Sequence, residues 1–222
     1  MGWFFRALNS SIGKKFVMAL TGICLILFLI IHLINNLTLY GGPHLFNTVV
    51  KNLESIKPLV RVIEAVLALI FVFHIFNGVR LWIENKKARP VGYAVNGSSK
   101  NTDLSSRTMI VSGSIVFIFL VIHLRTFWVS FNLGHPLAES HNYYDIVVEA
   151  FRSPVYSGLY VAAMILLGFH LNHGFQSLFQ TFGWNHKKYF NFIKRVGFVY
   201  TLITVIGFAS IPVYFLFFYG GN

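Results

Sequence analysis

Residues 21–33 read TGICLILFLIIHL and residues 112–124 read SGSIVFIFLVIHL, each a hydroxyl residue, a glycine, nine further residues, a histidine and a leucine. A second phrase follows each of them: FHIFNG at 73–78 and FHLNHG at 169–174, both Phe, His, three residues, Gly. The chain therefore repeats itself, and the unit of repetition is a pair of apolar segments, each carrying one histidine near its middle. About 20 apolar residues at 1.5 Å rise cross a hydrocarbon core roughly 30 Å thick. Five runs meet that length: 16–40, 59–83, 108–131, 155–181 and 196–219. They are continuous and lack period-two alternation, which predicts helices rather than barrel strands.

Composition agrees with this reading. Of 222 residues, 55% are hydrophobic and 11% charged, and the mean hydropathy is +0.65. Such a chain cannot coat a globule with polar surface, which excludes a soluble enzyme and a disordered tail. The expected fold is all-α, one transmembrane domain over residues 1–222 with five spans, the first four forming a four-helix bundle. The first run is too long for a removable signal peptide.

Net charge is +11, but the cations flank the apolar runs in short clusters instead of lining a phosphate-binding face, so no nucleic-acid partner is expected. Arg6, Lys14 and Lys15 precede the first run. Lys86, Lys87, Arg89, Lys100 and Arg107 lie between the second and third, and Lys187, Lys188, Lys194 and Arg195 between the fourth and fifth. The positive-inside rule then places the N-terminus inside and the C-terminus outside. The inside segment ARPVGYAVNGSSKNTDLSS (88–106) is the expected docking place for a soluble partner. Trp3, Trp82, Trp128 and Trp184 fall near span ends, as an interfacial belt requires.

His32, His74, His123 and His170 lie deep in four consecutive spans, where an ionisable side chain is costly and points to function. A rise of 1.5 Å per residue puts His32 and His123 roughly 22–24 Å above the inner ends of their helices, and His74 and His170 roughly 14–16 Å above theirs. Depth thus forms an outer pair, from spans 1 and 3, and an inner pair, from spans 2 and 4. The repeat implies a pseudo-twofold axis along the membrane normal.

Zinc or copper held by protein alone wants three or four ligands, and neither depth supplies carboxylate or thiol; the single cysteine, Cys24, sits in the first run. A haem needs two axial ligands and tolerates apolar walls. Gly78 and Gly174 stand four residues past His74 and His170, where they leave room for a flat macrocycle. Thr21 and Ser112 share the ligand face at the inner pair's depth, where their hydroxyls can meet a haem propionate. The alternative for all four is that small residues simply let membrane helices approach closely.

The five spans, a histidine in each of the first four, and the HxxxG phrase followed by Gly183-Trp184 resemble the cytochrome b membrane anchor of the succinate:quinone oxidoreductases, along nearly the whole chain. That resemblance implies two haem b groups, His32 and His123 ligating the distal one and His74 and His170 the proximal one. It implies a flavoprotein and an iron–sulfur subunit as partners on the inner face, in a bacterial cytoplasmic membrane. It also implies a quinone as bound substrate, with menaquinone expected, and places this subunit in complex II of respiration. His173 competes with His170 but sits about 60° off its face, and the HxxxG frame selects His170. Two departures stand out: Gly168 replaces a carboxylate, and Thr181 a basic residue, that some members carry.

Candidate quinone contacts are Asn35, Asn36 and Glu64 near the outer end. Against them, Asn35 and Asn36 can satisfy the end of the first helix, and Glu64 can pair with Arg61 at i, i+3. Two other readings remain open: the di-haem anchor of a different quinone-linked oxidoreductase, and a transporter or proton channel with relaying histidines.

Overall fold

The computed structural model describes residues 2–88 and 107–219, and among them there is helix but no strand. In chain order the helices are α1 (Trp3–Asn9), α2 (Ser11–Leu37), α3 (Gly42–Ser55), α4 (Lys57–Lys87), α5 (Met109–Asn132), α6 (Pro136–Glu139), α7 (Tyr143–Phe151), α8 (Pro154–Thr181) and α9 (Lys187–Phe217). A 3-10 turn over Thr38–Gly41 joins α2 to α3, and α5 contains a π-helical turn over Leu124–Trp128. Five helical segments, carrying α2, α4, α5, α8 and α9, are long and apolar enough to cross a membrane. The 88–106 segment expected to dock a partner, with Arg89 and Lys100, lies outside the described residues apart from Ala88.

Local chemistry sets the helix starts. Ser10 caps α2 by accepting from the Gly13 N–H at 3.0 Å, and Ser153 caps α8 by accepting from the Tyr156 N–H, with Pro154 following in the first turn. At Gly42 the backbone turns with φ of +81°, a left-handed conformation that L side chains rarely adopt, and this ends the α2 segment sharply.

Four boundaries correct the sequence reading, one of them the end of the second span, which runs on to Lys87 so that Lys86 and Lys87 are helical. The first span begins at Ser11 and ends at Leu37, so Tyr40 stands in the 3-10 turn. The fifth helix begins at Lys187, not 196, so Lys187, Lys188, Lys194 and Arg195 ride on its first turns instead of in a connection. Hydropathy marks where lipid starts, whereas a helix continues into the interface because its long cations reach water from a helical backbone. The far-end connections between the spans hold α3 and α7.

The long helices run alternately up and down. Phe16 of α2 meets Phe182 just past α8, and Lys14 pairs with Glu84 at the end of α4, which defines a near end holding the N-terminus. At the far end Arg61 of α4 donates to Asn132 Oδ1 of α5 at 2.6 Å. Around the bundle α2 packs on α4, α4 lightly on α5, α5 on α8, and α8 back on α2, so α2 and α5 are diagonal, as are α4 and α8. The helix without a candidate histidine, α9, packs against α8 and α2.

Glycines make the α9 contacts possible. A Cβ at Gly207 would stand 2.8 Å from Leu33 Cδ1, one at Gly168 2.8 Å from Val205 Cγ2, and one at Gly197 2.5 Å from Phe175 Cδ1. Gly168 therefore explains one departure noted above: α9 occupies the space that a carboxylate side chain would need. Gly197→Ala is expected to destabilise the α8/α9 contact by about 1–3 kcal/mol, read as a lower thermal unfolding midpoint in detergent. An unchanged midpoint would show that the seam yields at no cost.

Burial is uneven along the bundle. Val62, Val66, Leu69 and Phe76 on α4, Val121 on α5, and Ile203 and Ile206 on α9 are exposed, as faces solvated by lipid tails are. Trp3, Trp82, Trp128 and Trp184 are exposed too. The enclosed core lies at the far end, where Tyr143, Tyr144, Ile146, Val147, Val148 and Phe151 of α7 pack with Leu39, Phe46, Tyr160, Phe208, Ile211 and Phe215. An apolar helix in a water-facing connection must bury its side chains, whereas one in lipid need not.

The near end is joined by polar contacts. Lys14, 8% exposed, pairs with Glu84, which also accepts from Arg80 Nε at 3.0 Å; Arg80 Nη1 donates to Asn9 Oδ1 at 2.9 Å, and Asn77 Nδ2 donates to the Lys14 carbonyl at 2.7 Å. A buried cation needs such a counter-charge, and the cluster fixes the register of α2 against α4.

Candidate functional site formed by two histidine pairs

The bundle brings the four deep histidines together as two pairs. His32 of α2 faces His123 of α5 with ring centroids 5.8 Å apart and planes at 90°. His74 of α4 faces His170 of α8 at 6.3 Å and 65°. Each pair spans a diagonal, so both partners point into the bundle axis from opposite sides. The pairing inferred from depth is the pairing the helices make.

The near-level pair rests on the hydroxyl-glycine steps of α2 and α5. Thr21 Oγ1 lies 3.0 Å from His74 Nδ1. A Cβ at Gly22 would stand 3.9 Å from His74 Cε1, and one at Gly113 only 3.2 Å from His170 Cε1 and 3.4 Å from its Nδ1. The repeated glycine thus admits an imidazole from the next helix. Ser112, 1% exposed, donates to the Met109 carbonyl of its own helix at 3.1 Å. Gly78 faces the Met18 side chain, whose Cε would lie 3.2 Å from an added Cβ, while a Cβ at Gly174 would meet no atom within 4 Å.

Aromatic side chains enclose the far-level pair. Phe28 stacks on His32 at 5.1 Å, and Phe208 of α9 approaches it at 5.6 Å. Phe119, Phe127 and Tyr160 stand 5.6, 5.2 and 6.3 Å from His123. Phe28 and Phe119 precede their histidines by four residues and Phe127 follows by four, the spacing that shares a helix face. That spacing is visible in the sequence itself. An apolar groove of about 140 Å³ along α5 and α8, lined in part by Phe119, Ile122, Tyr160 and Ala163, adjoins this cage.

The outer-end candidates divide. Asn36 Nδ2 donates to the His32 carbonyl at 2.8 Å and stands 3.4 Å from His32 Nδ1. At Asn35 it is the backbone carbonyl, not the side chain, that accepts from the Thr38 hydroxyl, at 2.6 Å. Glu64 is held by Arg61 Nη1 at 2.6 Å, and the Arg61 guanidinium lies 5.4 Å from the centre of the Trp128 ring. The structure thus forms the i, i+3 pair given above as the alternative for Glu64.

Above the far pair, α7 is tied to α3 by polar contacts as well as by packing. Asn47 Oδ1 accepts from the Tyr144 N–H at 2.8 Å, and His141 Nδ1 lies 3.4 Å from Glu54 Oε2. Burial, with the Glu54 carboxylate beside it, pushes the Tyr143 phenol up, so it stays a neutral hydroxyl at ordinary pH.

The donor set tells which cofactor fits. Among the described residues no three His, Cys, Asp or Glu converge to hold a metal ion, so each level offers two imidazoles. His123 and His170 each bury Nδ1 without a hydrogen-bond partner. Two imidazoles held apart across an axis, with apolar rings around one pair and glycine beside the other, suit iron whose remaining four ligands come from a tetrapyrrole.

A family model described as succinate dehydrogenase/fumarate reductase transmembrane subunit matches residues 16–98 and 85–211. The two stretches meet in the connection between α4 and α5, where the internal repeat also divides. No curated protein and no solved structure matches the chain.

Proposed function

The chain belongs to the family of succinate dehydrogenase/fumarate reductase transmembrane subunits, and from that premise we propose that it is the di-haem cytochrome b anchor of a succinate:quinone oxidoreductase. The observation that carries the proposal is the pair of diagonal His–His facings, His32 with His123 and His74 with His170. A haem bound at each level supplies a one-electron ferric/ferrous couple.

The chain's own residues supply placement. His32 with His123 and His74 with His170 would hold the two groups, and rigid helices keep these imidazoles at fixed levels along one axis. Phe28, Phe119, Phe127, Tyr160 and Phe208 keep water from the far level. Gly22 and Gly113 open the helix surface at the near level, and Gly174 leaves space beside it. This low-dielectric wall and the ligand contacts tune potential.

In the bacterial cytoplasmic membrane the near end faces inside, where the cations of the near-end segments and of the first turns of α9 attract a flavoprotein and an iron–sulfur subunit. A quinone, with menaquinone expected, binds toward the far end. Asn36 is better placed for it than Glu64, because Asn36 stands against His32 whereas Arg61, itself donating to Asn132, holds Glu64.

The test is a reduced-minus-oxidised absorption spectrum with haem quantification on the complex purified from its native membrane. Two b-type haems per chain, with flavin and iron–sulfur subunits co-purifying, are expected. A colourless complex would remove the proposal and leave a His-relay transporter as the better reading.

A further inference from the structure

Resting on the di-haem reading, we propose that Thr21 is the positioning residue of the near-level ligand pair: its hydroxyl oxygen accepts from Nδ1–H of His74, fixing the tautomer whose Nε2 lone pair is left for iron. The hydrogen bookkeeping at one oxygen carries this. A threonine hydroxyl has a single hydrogen and two lone pairs. Thr21 Oγ1 lies 2.9 Å from the Val17 carbonyl and 3.1 Å from the Met18 carbonyl. Those oxygens can only accept and two of them lie within reach, so we assign the hydrogen to them. Toward His74 Nδ1, 3.0 Å away, the oxygen can then only accept, and Nδ1 must carry the proton. A neutral imidazole protonated at Nδ1 has its lone pair at Nε2.

The second half of the repeat does not duplicate this contact. Ser112, the equivalent of Thr21, sends its hydrogen to the Met109 carbonyl, and His170 Nδ1, seated beside Gly113, has no hydrogen-bond partner. The two near-level ligands are therefore unequal. His74 is oriented at Nδ1 by a side-chain hydroxyl from a neighbouring helix, whereas His170 has a backbone contact with Met109 and no hydroxyl at Nδ1. An acceptor on the distal ring nitrogen raises ligand basicity and fixes ring orientation, which favours the oxidised iron. Thr21 thereby acts through His74.

The experiment is a redox titration of the purified complex carrying Thr21→Val, which keeps the shape and removes the acceptor, and Thr21→Ser, which restores it. The near-level haem is identified as the one lost in His170→Ala. Thr21→Val is expected to raise the midpoint potential of that haem alone, by up to about tenfold in its one-electron equilibrium constant, a tenfold change being about 59 mV. Thr21→Ser is expected to keep the wild-type value.

If Thr21→Val fails to load the near level while Thr21→Ser loads it, the hydroxyl requirement is supported. Two haems in every variant with unshifted potentials, an equal shift in Thr21→Ser and Thr21→Val, or loss of the near-level haem from both variants overturns the role of Thr21 and leaves the di-haem reading standing. A wild-type complex without haem overturns both.

Discussion

His170→Ala is expected to lower haem content from two per chain to one and to leave the far-level b-type spectrum in place. The rings of His74 and His170 face each other across a diagonal, so removing one leaves a single imidazole for an iron that needs two axial partners. The far level keeps His32, His123 and its aromatic enclosure, which approach from other turns and in part from α9. His123→Ala is expected to do the converse. His173→Ala should leave both haems, since Leu171, Asn172 and His173 carry the helix round from the His170 face. Haem quantification with spectra of each variant decides the matter. Loss of both haems from each single ligand variant, or retention of both in His170→Ala, would sink the pairing.

Tyr144→Ala is expected to destabilise the protein by about 3–5 kcal/mol, in the range for removing a large buried aromatic. Tyr144 is 2% exposed and lies among Phe46, Phe215 and Tyr219 at ring distances of 6.4, 5.6 and 6.1 Å. It therefore joins α7 to α3, to α9 and to the chain just beyond α9. Its backbone N–H is satisfied by the Asn47 side chain, so truncation keeps that bond and reports on packing. The readout is thermal unfolding in detergent, followed at the far-level haem. A loss below about 1 kcal/mol would mean that lipid, rather than α7, encloses that end.

Much of the site is legible in a single chain because membrane depth is a local quantity. The rise per residue fixes how high His32, His74, His123 and His170 stand, and equal height on helices of like direction selects the pairs without knowledge of packing. The TG and SG steps were read for their hydroxyls, whereas the structure sets the glycines against imidazoles: Gly113 comes within 3.2 Å of His170 when a Cβ is built on it. That contact joins residues 57 positions apart and depends on how α5 and α8 are rotated, which no spacing within one helix encodes. Glu64 illustrates the reverse case: an i, i+3 partner visible in the sequence, Arg61, holds it.

The sequence by itself determined an all-helical membrane chain, five spans, a twofold internal repeat and four imidazoles at two heights, because lipid imposes apolar length and every such property is set along one helix. Tertiary structure alone decided that α7 closes the far end, that α9 starts at Lys187, and that Thr21 stands against His74. These depend on water-facing burial, on interfacial charge and on the rotation of one helix against another, and those are relations between segments that meet only in the fold.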